Sequence, residues 1–329
     1  MKKLFVFIFS AMMVVFLVLP VSAPTQTTAA DWKPSRSISL TVGYGPGGGF
    51  DIWGRAIARV LEKPVGVPVV VNNIPGLGGV TAVETLWRTE PDGHTIHIFE
   101  LASMLIAQYL TKARYDLHKF TPIGVAQVGS RALWAAKASP FNSIQDVVKA
   151  GKTRTLRGGT TGLSSGLWQC MAVFANEAGI DVKPVSGYKS GAECLAALEA
   201  GDFDILVMPP VTTLPFLKRG SVNGLALGGS SHDPRLPGVP TFTEAGFPKT
   251  GSFARVVRSL MAPPGTPSAA AGFLEKSLMD ALSSPEFLKW LESRGELAGA
   301  LNAQQMSELL EETDKIVKDF LPILGQYMK

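Results

Sequence analysis

The sequence predicts an α/β protein of two domains, and three turns that join a strand to a helix carry this prediction. In each turn, an apolar stretch typical of a strand runs into a loop rich in glycine or hydroxyl residues, and a helical pattern follows at once. These turns follow residues 38–42, 67–71 and 155–157, and the length of 329 residues suits two domains. Because such helix starts present backbone N–H groups and a positive dipole end, we expect a cleft that holds a small anion.

The N-terminus has the pattern of a secretory signal peptide. Lys2 and Lys3 precede an uncharged apolar run over residues 4–19, and small and polar residues follow up to Ala30. We therefore expect residues 1–30 to be removed by cleavage near Ala30 during export. The apolar run is shorter than the roughly 20 residues of a membrane span, so we expect no membrane insertion of the mature chain.

Composition excludes several classes of function. Without the predicted signal peptide the chain carries 29 basic and 27 acidic residues, a net charge of +2, which gives no support for binding to nucleic acid. The two cysteines, Cys170 and Cys194, are too few for a disulfide scaffold, and either one bridge between them or two buried thiols fits the sequence. No cluster of Cys, His and Asp has the spacing of metal ligands, so no metal site is predicted.

The first domain begins with a strand over residues 38–42, in which apolar and polar residues alternate. A glycine loop follows, and Asp51 is the predicted N-cap of the next helix. A second strand over residues 67–71 runs into a second glycine-rich turn over residues 72–79, and residues 95–99 form the third strand. In a parallel sheet both turns lie at one edge, where open α/β folds bind ligands.

The second domain is predicted to interrupt the first. The chain leaves through a strand over residues 120–128 and returns through an apolar strand over residues 252–262. Strands are predicted between these two segments at residues 133–136, 155–157, 182–188, 204–208 and 225–228, with helices among them. Beyond residue 266 the pattern is helical up to the C-terminus.

One glycine spacing matches the fingerprint of dinucleotide-binding proteins, Gly43-x-Gly45-x-x-Gly48. Pro46 interrupts the loop, and the acidic residue in range, Glu62, lies at the end of the helix rather than on the next strand. We therefore predict no cofactor.

An alternative function is that of an exported serine hydrolase. Gly162-Leu-Ser164-Ser-Gly166 matches the nucleophile elbow, and His232 is the one histidine after Ser164. Asp202 or Asp204 would supply the acid. The competing interpretation, which we favour, is that the serines cap the helix and hydrogen-bond a bound anion, since such loops are common at helix starts.

The sequence resembles the extracytoplasmic solute receptors of the tripartite tricarboxylate transporter type, the Bug-type periplasmic binding proteins. The matching segments run in family order over nearly the whole mature chain: Pro46-Gly-Gly-Gly49 with Asp51, Asn73-x-Pro-Gly-x-Gly-Gly79, Pro91-Asp-Gly-x-Thr95, Tyr115-Asp116 with Phe120-Thr-Pro122, Tyr188-Lys189 with Gly191-Ala192, Gly201-Asp-Phe-Asp204, Leu236-Pro-Gly-Val-Pro-Thr-Phe-Thr-Glu-Ala-Gly246 and Ala262-Pro-Pro-Gly-Thr-Pro267. Each piece is weak alone, and the set is specific.

The resemblance implies a two-lobed binding protein of the periplasm, each lobe a mostly parallel sheet flanked by helices, with a hinge between the lobes. Lobe 1 would comprise residues 31–127 and 254–329, and lobe 2 residues 128–253. Such a protein is no enzyme: it closes on a small organic acid, a dicarboxylate or an aromatic acid, and delivers it to membrane permease subunits. We expect a monomer. The resemblance does not distinguish a role in uptake from a role in signalling through a membrane sensor.

The resemblance also implies the ligand-binding residues. Carried over by position, they are Gly47, Gly48, Gly49 and Gly78 in lobe 1 and Thr160, Thr161, Ser164 and Asp204 in lobe 2. Four departures from the family pattern bear on the ligand: Phe50, Phe99, Glu100 and Arg157. The alternative interpretation places Phe50 and Phe99 in the core and Glu100 at the rim of the cleft. If Phe50 and Phe99 line the cleft, the ligand has an aromatic or apolar body. If Glu100 lines it, the ligand carries a cation, or Glu100 pairs with Arg131 or Arg157.

Overall fold

The computed structural model describes residues 32–229 and 232–328, so the predicted signal peptide lies outside the described residues. The strands in this part of the chain are β1 (Ile38–Val42), β2 (Val69–Asn73), β3 (Thr95–Glu100), β4 (Thr121–Ser130), β5 (Ala132–Ala136), β6 (Leu156–Gly159), β7 (Val182–Val185), β8 (Ile205–Met208), β9 (Val222–Leu227) and β10 (Arg255–Ala262). The helices are α1 (Gly49–Val65), α2 (Val80–Trp87), α3 (Leu101–Leu110), α4 (Ile144–Gly151), α5 (Gly166–Ala178), α6 (Gly191–Ala200), α7 (Pro210–Lys218), α8 (Pro248–Phe253), α9 (Ser268–Leu282), α10 (Pro285–Arg294) and α11 (Ala303–Tyr327).

The strands form two five-stranded sheets of matching design. The first has the order β2-β1-β3-β10-β4 and the second the order β7-β6-β8-β5-β9. In each sheet a single strand, β10 in the first and β5 in the second, runs antiparallel to both of its neighbours. The predicted α/β class with two mostly parallel sheets is confirmed.

The chain crosses between the sheets at two points. β4 ends at Ser130 in the first sheet and β5 begins at Ala132 in the second, so Arg131 forms the crossing. The return runs from β9 to β10. The two crossings are joined, because Arg131 N–H donates to the carbonyl of Ala254 at 2.8 Å and Gly228 N–H donates to the carbonyl of Arg131 at 2.7 Å. The lobe boundaries given above stay a prediction.

Apolar cores lie on both faces of each sheet. In the first lobe α1, α9 and α10 cover one face, with Trp53 of α1 against Phe287 and Trp290 of α10. The other face packs against α2, α3 and α11. Trp53 of α1 and Trp168 of α5 are both buried. Among residues 32–229 and 232–328, no helix combines the length and the apolar character needed to cross a membrane.

The N-cap prediction for Asp51 is wrong. The helix α1 starts at Gly49 with Gly48 as its N-cap, three residues before the predicted cap. Asp51 is the third helical residue, and its carboxylate accepts the N–H of Gly47 at 2.9 Å. The physical reason is the tight turn at Gly47, where φ is +79° and the chain folds back over the first turn of the helix.

The cysteines are two separate buried thiols. Cys170 lies in the core of the second lobe beside α4 and α5, whereas Cys194 lies in the core beneath α6. Burial raises the pKa of each thiol to about 12. Both groups therefore stay protonated at neutral pH and behave as small core residues.

Candidate functional site

A cavity of about 40 Å³ lies between the two lobes. It is lined by Tyr44, Gly49, Phe50, Glu100, Val256 and Arg258 of the first sheet and its helices, by Arg131 of the crossing, and by Thr161, Gly166, Leu167, Gly191, Met208, Pro209 and Thr212 of the second. Its walls thus come from both lobes and from the segment that joins them. Such a site can be complete only when the lobes are in contact.

Four helices start at this cavity. Gly49 is the first residue of α1, Gly166 of α5 and Gly191 of α6, and α7 begins directly after Pro209. The first N–H groups of a helix have no partner within it and carry partial positive charge. The sequence requires glycine at two of these starts, because a Cβ at Gly49 would lie 2.6 Å from Thr212 Oγ1 and a Cβ at Gly166 would collide with the guanidinium of Arg131.

Three buried charged side chains line the same cavity: Arg131, Arg258 and Glu100, exposed to 3 %, 1 % and 2 %. Arg131 Nη2 lies 3.4 Å from Glu100 Oε2, and its other terminal nitrogen donates to the carbonyl of Arg255. Two guanidinium groups therefore face one carboxylate. The excess of positive charge adds to that of the helix starts.

Arg258 is held by a row of side chains across the first sheet. It pairs in register with Glu100 of β3 on one side and with Gln127 of β4 on the other. Its guanidinium donates to Gln127 Oε1 and lies 4.6 Å from the ring centre of Trp53. Burial lowers the pKa of Arg258 to about 10, although the carboxylate of Glu296 opposes this shift. Arg258 thus keeps its charge at neutral pH.

Several polar atoms of the lining have no hydrogen-bond partner among the described residues. They are Arg131 Nε, Arg258 Nε, Glu100 Oε1, Thr161 Oγ1 and Thr212 Oγ1. Buried polar groups in proteins are nearly always paired, because an unpaired group loses its bonds to water without replacement. Unpaired groups that converge on one cavity are therefore typical of a binding site.

Tyr44 connects the two glycine loops of the first lobe. Its hydroxyl donates to the carbonyl of Gly78 at 2.9 Å, and its ring stacks on Phe50 with 5.4 Å between centres. Burial, reinforced by Glu100, raises the pKa of Tyr44, so its hydroxyl stays neutral. Tyr44 and Thr161 also separate the first cavity from a wider one of about 390 Å³ between the loops.

The loops of the two lobes touch each other directly. Gly45 N–H donates to the carbonyl of Lys189 at 2.6 Å, and a Cβ at Gly48 would lie 3.3 Å from the nitrogen of Gly191. A Cβ at Gly78 would lie 2.5 Å from the nitrogen of Ser165. The structure is therefore a closed arrangement, and the glycines are what allow the backbones to approach so closely.

Comparison with known proteins assigns the chain to a family. The sequence model of the tripartite tricarboxylate transporter family receptor matches residues 54–325. The chain belongs to this family. It is a solute-binding receptor, in agreement with the resemblance seen in its motifs.

Relatives of this receptor include known sequences and solved structures. A protein encoded in the gbd 5′ region of Cupriavidus necator is 28% identical over 310 residues, which cover 93% of each chain. The periplasmic binding protein BugD has the same two-lobed fold, with a TM-score of 0.81 at 24% identity over 89% of this chain and 98% of its own. MatC from Rhodopseudomonas palustris, solved with bound malate, is 26% identical and has a TM-score of 0.81. The match covers 88% of this chain and 99% of MatC. A second R. palustris protein, solved with adipate, has the same identity and TM-score. That match covers 90% of this chain and 99% of its own.

The receptor brings part of the predicted site together. Four of the predicted residues line the cavity: Gly49, Phe50, Glu100 and Thr161. Gly47 and Gly48 lie in the loop just before α1, where they meet the start of α6 in the other lobe. Gly78 lines the wider cavity, and its backbone meets that of Ser164 and Ser165.

Five other candidates lie outside both cavities, and one of them is Ser164, whose backbone meets that of Gly78. Thr160 is buried within its own loop, where its hydroxyl bonds Ser165 Oγ at 2.9 Å. Arg157 and Asp204 form a partly exposed ion pair at 3.7 Å, since Arg157 points away from the buried face of β6. Asp204 also pairs with Arg154, and although burial acts to raise the pKa of Asp204, these bonds lower it. Phe99 is a core residue that stacks on His97.

Sequence reasoning missed Tyr44, Arg258 and Thr212 and considered Arg131 only as a partner of Glu100. A partial signal for Arg258 was available: it is one of two arginines, with Arg255, in the largely apolar strand predicted over residues 252–262. A charge in such a strand indicates a buried polar site, because charged residues are almost never buried without a partner. Arg131 and Thr212 had no comparable signal.

The receptor does not assemble the alternative hydrolase site. His232 is exposed, and its ring nitrogens lie 3.1 Å from Glu244 Oε1 and 3.2 Å from the carbonyl of Val239. In the described part of the chain no hydrogen bond joins His232 to Ser164, as a nucleophile and its base require. Within the same ranges, no group of three or more His, Cys, Asp or Glu side chains is placed to hold a metal ion.

Proposed function

We propose that this receptor binds a small organic carboxylate between its lobes and delivers it to membrane permease subunits of the tripartite tricarboxylate type. The observation that carries the proposal is the meeting of four helix starts and two buried arginines, Arg131 and Arg258, at one interlobe cavity. Helix N-termini and guanidinium groups both favour carboxylates, and the guanidinium fork matches the two carboxylate oxygens. Delivery is supported by the family to which the receptor belongs.

The ligands of two relatives and the walls of the cavity both support the proposed ligand class. Two relatives were solved with malate and with adipate, which are small dicarboxylates. The cavity also has apolar walls formed by Phe50, Leu167, Met208 and Val256, which suit a hydrocarbon body or an aromatic ring. Phe50 lines the cavity and Phe99 does not, so one of the two aromatic residues considered for an aromatic acid is in place.

The location and assembly are part of the same proposal. Export to the periplasm is supported by the charged and apolar pattern of residues 1–30, and N-terminal sequencing of the secreted protein tests cleavage near Ala30. We expect the mature receptor to act as a monomer that binds no nucleic acid.

The binding proposal is tested by thermal unfolding of the mature protein with a panel of acids. The panel contains dicarboxylates, tricarboxylates, aromatic carboxylates and amino acids, with matched neutral alcohols as controls. A ligand at 100 times its dissociation constant should stabilise the folded state by about 2.7 kcal/mol, which raises the melting temperature measurably. A melting temperature that no acid raises would contradict the proposal. Stabilisation by the alcohols alone would contradict it too.

A further inference from the structure

We infer that this receptor selects acids that carry a hydrogen-bond donor, a hydroxyl or an ammonium group, close to the carboxylate, and that Glu100 is the residue that recognises this donor. The inference rests on the proposed function, which it makes more specific. It depends on the position of Glu100, on the partners of its two oxygens and on the donors that surround it.

Glu100 points to the cavity side of the first sheet. It is the register partner of Arg258 on the neighbouring antiparallel strand, so the two side chains leave the sheet on the same face. Ile98 and Leu260, two residues away on each strand, lie on that face and belong to the core beneath α1. Phe99, with the opposite orientation, packs in the core on the other face. The carboxylate of Glu100 is therefore directed toward the cavity that Arg258 lines.

The two oxygens of Glu100 have different surroundings. Oε2 accepts the backbone N–H of Ser103 at 2.8 Å and the Ser103 hydroxyl, and it faces Arg131 at 3.4 Å. Oε1 is buried and has no partner among the described residues. A carboxylate oxygen beside an arginine only accepts hydrogen bonds. The cavity thus contains one free acceptor that only a donor group can satisfy.

The remaining free groups of the lining require the opposite chemistry. Arg131 Nε and Arg258 Nε are donors without partners, and they need an acceptor such as a carboxylate oxygen. A ligand that satisfies all three atoms has both a carboxylate and a hydrogen-bond donor. A second carboxylate next to Glu100 would instead meet a like charge in a buried site. Hydroxy acids and amino acids share the required chemistry.

The inference is tested by titration calorimetry of the wild-type receptor with matched sets of acids. One set is succinate, malate and aspartate, a second is propionate, lactate and alanine, and a third is phenylpropionate, phenyllactate and phenylalanine. The comparison is made within the set that binds most tightly. There we expect the acids with a donor to bind about 10- to 100-fold more tightly than the acid without one, because this is the contribution of a hydrogen bond to a charged group. The ranking of hydroxyl against ammonium then identifies the donor.

Equal or tighter binding of the acids without a donor would overturn the inference and leave the proposed function intact. Failure of every acid to bind would overturn both. The two failures are therefore distinguishable in one series of measurements, which uses only the wild-type protein.

The role of Glu100 is tested with Glu100→Gln. The amide oxygen can keep the bonds to Ser103 and Arg131, which places an NH₂ donor where Oε1 was. We expect this variant to lose the preference for acids with a donor over the matched acids without one. Glu199→Gln is the control, because Glu199 pairs with Arg219 on the surface. A preference that survives in Glu100→Gln would overturn the role of Glu100, and the wild-type series tests the inference even if that variant does not fold.

Discussion

The two buried arginines of the cavity differ in what holds them. Arg258 donates to the neutral amide of Gln127, and its Nε is free. Arg131 is paired with the buried carboxylate of Glu100. Removal of Arg258 leaves Glu100 paired with Arg131, whereas removal of Arg131 takes away the one guanidinium that pairs directly with the buried carboxylate of Glu100. The same substitution should therefore have opposite effects on stability at the two positions.

Arg258→Met should weaken binding without weakening the fold. Loss of a charge-assisted hydrogen bond to the ligand should lower affinity about 10- to 100-fold. Methionine fills a similar volume without a charge to desolvate, so the melting temperature of the free protein should stay the same or rise. Calorimetric titration and thermal unfolding measure the two effects, with the exposed Arg59 of α1 changed to methionine as the control. A variant with full affinity would show that Arg258 does not contact the ligand.

Arg131→Met should destabilise the free protein. Breaking a buried ion pair by removing one partner costs about 3 to 5 kcal/mol, because the remaining charge is left uncompensated. Chemical denaturation of the free protein measures this loss. The double variant with Glu100→Gln should recover part of it, since the buried carboxylate that lost its partner is then replaced by a neutral amide. The absence of any recovery would contradict the pairing.

At the scale of elements, Asp51 joins the two glycine loops of the first lobe to α1. Its carboxylate accepts the N–H of Gly47 at 2.9 Å, the side-chain amide of Asn73 at 2.9 Å and Nε of Arg55 at 3.0 Å. Burial acts to raise the pKa of Asp51, but these bonds outweigh it and lower the pKa below the ordinary 3.8. One residue therefore fixes the position of both loops relative to the helix.

Asp51→Asn should destabilise the receptor in a pH-dependent way. A carboxyl group with a lowered pKa in the folded state contributes its full stabilisation above its ordinary pKa of 3.8 and loses it as the pH falls through the lower folded value. We expect a loss of about 1.5 to 3 kcal/mol at pH 7, as for hydrogen bonds to a charged group. The gap between wild type and variant in urea denaturation should narrow below pH 4, and a constant gap would contradict the assignment.

At the scale of the whole molecule, closure depends on close contact between the loops of the two lobes. The backbone at Gly48 has a φ of −75°, which any residue can adopt, but a Cβ there would lie 3.3 Å from the nitrogen of Gly191 across the cleft. The C-terminal helix also spans the lobes, since Trp168 Nε1 of α5 donates to the carbonyl of Tyr327 at 2.9 Å. Contacts at the cleft and at this helix together define the closed state.

Gly48→Val should prevent closure while the lobes remain folded. Each lobe keeps its core, so the melting temperature of the free protein should change little, whereas the larger side chain should hold α6 away and abolish binding. Small-angle scattering should show no decrease of the radius of gyration on addition of a ligand that compacts the wild type. Gly272→Val in α9 is the control, because nothing lies within 4 Å of a Cβ there. Closure and full affinity in Gly48→Val would contradict this view of the cleft.

Local patterns were sufficient to predict the class of fold and the loops that form the cleft. These patterns depend on residues that are close in the chain. They are the alternation in residues 38–42, the glycine loops, and the helical spacing of Trp53 and its neighbours. The two strands next to the crossings, β4 and β10, were predicted for the same reason. The N-cap at Asp51 was misplaced because cap geometry depends on the turn at Gly47, which the side-chain pattern does not encode.

The cavity itself is a product of the tertiary structure. Arg131, Arg258 and Thr212 are far apart in the chain, and they meet because β10 returns to the first sheet beside β3 and because α7 faces α1 across the cleft. Arg157 has suitable chemistry but turns toward the surface and pairs with Asp204, since the pleat of β6 directs alternate residues to opposite faces. Residue type and spacing determine which loops can hold an anion, whereas strand order and side-chain direction decide which charges surround it.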